Sequence, residues 1–128
     1  MVAIGLVFAG LAALIHVYIF YLESVAWTAP ATRKTFGTTP EQAEITRPMA
    51  FNQGFYNLFL AVAIALGIGF LAAGSTAVGA TLVFVGAGSM VAAGLVLLLS
   101  DRSKARAASI QLVPPLIGLV ALAVGLVG

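Results

Sequence analysis

Four stretches of this chain are long enough and apolar enough to cross a bilayer, at about 2–22, 50–73, 77–99 and 108–127. A helix needs ~20 apolar residues to cross ~30 Å of hydrocarbon, where every backbone polar group must be satisfied internally. These spans leave outside them only the loop 28–49, a Gly74-Ser75-Thr76 turn and the connection 100–107. The expected fold is an all-α, integral membrane four-helix bundle, a single domain over residues 1–128. With 62% hydrophobic and 8% charged residues, no soluble domain is left over. The opening MVAIGLVFAGLAALI lacks the basic n-region and A-x-A exit of a cleaved signal peptide and reads as a retained span.

Charge sets the expected orientation. All six basic residues fall in two connections, Arg33, Lys34 and Arg47 in the first and Arg102, Lys104 and Arg106 in the third. Those connections share one side of a four-span protein. The positive-inside rule therefore places both in the cytoplasm and both termini outside. The net charge of +2 then reports topology and contact with anionic lipid headgroups, and not nucleic-acid binding. With no cysteine and one histidine, no metal site is expected, and no cofactor motif is present.

Within the first loop, Thr39-Pro40-Glu41-Gln42 matches a capping box with proline at the first helical position. It predicts a short cytoplasmic helix at about 40–47, ended by Pro48, which then starts the second span. Small residues recur four apart at Gly5, Ala9 and Ala13 and at Ala61, Ala65, Gly69 and Ala73. Such ladders allow close helix packing, in one bundle or in a homo-oligomer.

Polar groups at membrane depth are expensive and mark where function should be sought. His16, Phe20, Glu23 and Trp27 are spaced to share one face of the first span, with His16 and Glu23 two turns or ~10 Å apart. Asn52, Gln53, Tyr56 and Asn57 form a polar sector opening the second span, and Gln111 is expected at the same depth on the fourth. Pro114 and Pro115 free backbone carbonyls near Gln111. All these groups fall in the cytoplasmic half, as one pocket opening to that side requires. The amino termini of spans two and four, helped by Arg33 and Arg47, are expected to give this pocket a positive field suited to an anionic or carbonyl-bearing ligand.

The motifs His16-x-x-Ile-Phe-x-x-Glu23-x-x-x-Trp27, Asn52-Gln-Gly-x-Tyr56-Asn57-x-Phe-Leu-Ala and Gln111-x-x-Pro114 together resemble a bacterial family of small four-span membrane proteins catalogued as a domain of unknown function. The resemblance covers essentially the whole chain and implies the architecture while leaving the activity open. Some members carry the label "epimerase", but nothing here resembles a sugar-nucleotide site.

The function expected from these residues is binding of a small amphiphilic molecule or membrane lipid in a cytoplasm-facing intramembrane pocket. Asn52, Gln53, Asn57 and Gln111 would orient the polar head, and Trp27, Phe20 and Tyr56 would pack on the apolar body. In a catalytic version, His16 is the base and protonated Glu23 the acid of an isomerisation. The alternatives are a proton-coupled small transporter, which suits a titratable His/Glu pair, and a structural subunit of a membrane complex.

Overall fold

Apolar length becomes helix along nearly all of the chain. The computed structural model describes all residues, Met1–Gly128. Helix α1 (Val2–Phe20) runs on into one π turn (Tyr21–Val25). The short α2 (Pro30–Phe36) follows, then α3 (Pro40–Ala72), α4 (Thr76–Ser100) and α5 (Ala105–Val127), the last preceded by a 3-10 turn at Arg102–Lys104.

Local chemistry accounts for most boundaries. α3 starts at a complete capping box: the Gln42 N–H donates to Thr39 Oγ1 at 3.2 Å, and the Thr39 N–H donates to Gln42 Oε1 at 3.0 Å. α2 has proline in its first turn, and Gly37 at φ +69° terminates it in the left-handed conformation that glycine adopts without penalty. Gly74, at φ +83°, turns the chain between α3 and α4. Asp101 accepts from the Ser103 N–H at 3.0 Å and its hydroxyl at 2.6 Å, which holds the Asp101 carboxyl below the usual carboxylate range.

The helix expected to end at Pro48 does not end there. α3 continues unbroken from Pro40 to Ala72 with Pro48 inside it, so the separate short helix of the first loop is α2 instead. Pro48 removes one donor, the N–H that would reach the Glu44 carbonyl, and crowds the turn below. The Trp27 indole brings a donor to that turn from outside the helix, bonding the neighbouring Ala43 carbonyl at 3.1 Å.

The four long helices form a ring. α1 packs on α3 and α5, α4 packs on the same two, and α1 and α4 barely touch across the diagonal. Neighbours run antiparallel: Gly5 and Ala9 of α1 meet Leu122 and Gly118 of α5. Contact is close enough that a Cβ on Gly67 would stand 2.8 Å from the Gly79 carbonyl oxygen of α4. The core is small, built on Ala9, Ala12, Ile64, Val83, Ala87, Met90 and Leu122. Of the two expected ladders, Gly5 and Ala9 lie at a seam, whereas Ala65 and Gly69 face outward and Ile64 and Gly67 take the inner positions.

Outside this core the surface is hydrocarbon. Val7, Leu14, Val85, Val96 and Val120 are all more than half exposed, an apolar exterior that water would not tolerate. Four helices are long and apolar enough to span a membrane. The chain is an integral membrane protein.

Candidate functional site

α1 ends in a π turn, where the Ala26 N–H reaches back five residues to the Tyr21 carbonyl at 2.9 Å. π turns are rare and concentrate at functional sites. This one turns two successive side chains toward α3. Glu23 Oε2 accepts from Asn57 Nδ2 at 2.8 Å, and the Ser24 hydroxyl donates to the Phe51 carbonyl at 2.8 Å. Gly54 permits the approach: a Cβ there would collide with Ser24 Oγ and stand 3.1 Å from Glu23 Cβ. The glycine of the Asn-Gln-Gly run thus brings the carboxyl within reach of Asn57.

Beside this seam lies an open cleft of about 260 Å³, lined by Glu23, Trp27, Thr46, Met49, Ala50 and Gln53. Asn57 forms its back support, spending both amide hydrogens, one on Glu23 and one on the Gln53 carbonyl at 3.3 Å. The indole N–H of Trp27 is shared between the Ala43 carbonyl and Thr46 Oγ1, and its ring packs on Phe36 at a centroid distance of 4.9 Å. Phe36 is in turn fixed from the far end of the sequence, because Lys104 Nζ donates to its carbonyl at 2.6 Å. A larger depression of about 520 Å³ lies among Ala123, Val124, Val127 and Gly128, with no polar side chain in its lining.

The structure brings Glu23, Trp27, Gln53 and Asn57 together and leaves the other expected residues apart. Trp27 does not extend the helical face of His16 and Glu23, because the helix has ended at Val25 and Trp27 sits in the following turn. It reaches the cleft by folding back on α3. His16 is buried at 2% exposure, and its side chain bonds only the Ala12 carbonyl of its own helix, through Nδ1 at 2.9 Å. It does not bond Glu23 or line the cleft.

The amide sector of α3 also divides. Residues two apart on a helix lie some 200° round, so Asn52 and Tyr56 fall on the side away from Gly54. Asn52 is exposed without a side-chain partner, and Tyr56 is 58% exposed with its ring edge-on to Phe59. Phe20 packs edge-on against Phe55 at 5.1 Å, next to the seam but outside the cleft. Gln111 is half-buried on α5, with no side-chain hydrogen bond and no part in the lining.

For the second span, the expected positive field is displaced as well. α3 begins at Pro40, so its free N–H groups lie twelve residues, ~18 Å, before Asn52. Arg47 pairs with Glu44 at 3.9 Å on the exposed surface, and Arg33 bonds the Thr28 carbonyl at 3.2 Å. Neither lines the cleft. The lining residues that sequence reasoning missed are Thr46, Met49 and Ala50, together with Ser24 at the seam. Positions 46, 50, 53 and 57 carry helical spacing straight through Pro48, which is the signal that would have found them.

Fold and cleft define a small four-helix integral membrane protein with one carboxyl-bearing cleft where two helices meet. The chain belongs to the family described as "Protein of unknown function (DUF1304)", whose profile matches residues 10–123, in agreement with the resemblance carried by the His16, Asn52 and Gln111 motifs. A search of curated proteins and a search of solved structures gave no match.

Proposed function

We propose that the cleft binds the polar head of a small amphiphilic molecule or lipid, whose apolar part lies along the outer face of α3. The carrying observation is a carboxyl, Glu23, held by Asn57 in the wall of a cleft at a helix seam. Its volume of about 260 Å³ falls just under the ~300–1,000 Å³ usual for sites that enclose a small molecule, which supports a head-group site open on one side. Met49, 74% exposed at the rim, and Ile45, 78% exposed, offer an apolar track leading from it. On this reading the basic connections face the cytoplasm, and the cleft opens near that surface. Glu23 acts in binding without His16 as a catalytic partner, because only Glu23 reaches the cleft.

The test is native mass spectrometry of protein extracted gently from its own membranes, with bound small molecules identified after release. Gln53→Phe fills the cleft from an exposed rim position and disturbs no buried contact. The expected result is a stoichiometric small molecule on the parent protein that is missing from Gln53→Phe at unchanged thermal stability. A parent protein that carries another polypeptide and no small molecule would overturn the reading.

A further inference from the structure

The cleft's electrostatics select among amphiphiles, and this step rests on the cleft reading above. Glu23 Oε2 is bonded to Asn57, while Oε1 accepts no hydrogen bond. No basic side chain lines the cleft, and the one ion pair of the molecule, Arg47–Glu44, is elsewhere on the surface. Glu23 also stands in the last turn of its helix. The carbonyls of Leu22, Glu23, Ser24 and Val25 receive no backbone N–H, because the next donor, Ala26, reaches back to Tyr21, and no side chain donates to them. Unpaired carbonyls at a helix C-terminus carry a partial negative charge that attracts cations.

Trp27 adds an aromatic wall. Its N–H is spent on α3, so its side chain offers the cleft only aromatic surface, and an indole face attracts a cation within ~6 Å. A free carboxyl oxygen and an indole thus share a cleft that no protein cation lines, beside a helix end whose last carbonyls are unpaired.

We infer that the ligand is a cationic amphiphile, an alkyl amine whose ammonium group takes the place of the missing cation between Glu23 and Trp27. An ammonium donates up to three hydrogen bonds and accepts none, matching a carboxyl oxygen that no protein donor reaches. The field is opposite in sign to the one expected from the helix amino termini, because the element that ends at the cleft is the C-terminus of α1.

Trp27 is the single tryptophan of the chain, so its emission reports occupancy directly. Full-length protein in dodecyl maltoside is titrated with dodecylamine, dodecanol and dodecanoate, which share a tail and differ in head group. The expected result is a saturable change in Trp27 emission with dodecylamine, half-saturating at least tenfold below dodecanol, with dodecanoate weakest. Glu23→Gln keeps a side chain that can still bond Asn57 and should raise the dodecylamine midpoint at least tenfold while leaving dodecanol unchanged. Equal midpoints for amine and alcohol, both abolished by Gln53→Phe, would overturn the cationic preference and leave the cleft reading standing. No saturable change sensitive to Gln53→Phe with any of the three would overturn both. The comparison of head groups on the parent protein decides the matter even if Glu23→Gln fails to fold.

Discussion

Ser24 occupies the space that a side chain on Gly54 would need, and its hydroxyl bonds the Phe51 carbonyl one turn away on the same helix. The π turn therefore lies tightly against α3 at Gly54, and Glu23 is delivered to Asn57 as a consequence. Gly54→Ala should force the two helices apart. Overpacking of this kind costs about 1–3 kcal/mol, and the loss should appear as a lower unfolding midpoint in detergent. Gly69→Ala is the matched control, since a Cβ at Gly69 meets nothing within 4 Å. There alanine gains up to ~1 kcal/mol of helix propensity, so that variant should be neutral or more stable.

Trp27 bonds two groups of α3 through one N–H while packing on Phe36. Trp27→Phe keeps most of the ring contact and removes the donor. The expected loss is about 1 kcal/mol of stability, the ordinary net contribution of an intramolecular hydrogen bond. Amide hydrogen exchange should rise around residues 43–47, where the indole donor supports the turn below Pro48. Unchanged exchange there would show that the indole bond adds nothing to that turn.

Lys104 reaches across 68 residues to the Phe36 carbonyl, closing the C-terminus of α2 with a cation where the helix dipole favours one. Lys104→Met keeps the apolar stem and loses the ammonium. Hydrogen exchange should rise several-fold in α2, and Trp27 emission should shift because Phe36 packs on the indole. The four long helices should keep their protection, since α2 contributes little to their packing. A global loss of protection would mean that α2 is part of the bundle's cooperative unit.

How much of this was legible follows from which residues depend on local chemistry. The four spans, the Thr39–Gln42 capping box and the Gly74 turn are decided by composition and by neighbours within three residues, and the structure holds all of them. The pairing of Glu23 with Asn57 was visible only as two polar groups at one depth. Asn52 and Tyr56 were grouped with them because a membrane helix carries no amphipathic signal to say which face is inner, lipid and core being equally apolar. That choice was made by Gly54, whose contact with Ser24 turns one face of α3 inward. The π turn was hidden for a related reason, since Ala26 bonds Tyr21 instead of a residue four back without any distinctive residue type at either position. Pro48 misled because α3 carries it in its interior at the loss of only the one N–H that would reach Glu44, an outcome that residue type alone does not signal.

Pro48 also supplies the sharpest separation of stability from function. It leaves the Glu44 carbonyl without its intrahelical donor and lies two residues before Ala50, inside the stretch that lines the cleft. Pro48→Ala restores that donor and relieves the crowding of the preceding turn, so stability should rise by about 1 kcal/mol or more. Pro48 lies between Thr46 and Met49, so the same change alters the stretch of backbone that presents both to the cleft beside Trp27. The expected outcome is a protein with a higher unfolding midpoint and a weaker dodecylamine response at Trp27, an exchange of function for stability. Higher stability with an unchanged dodecylamine midpoint would show that Pro48 has no part in shaping the cleft.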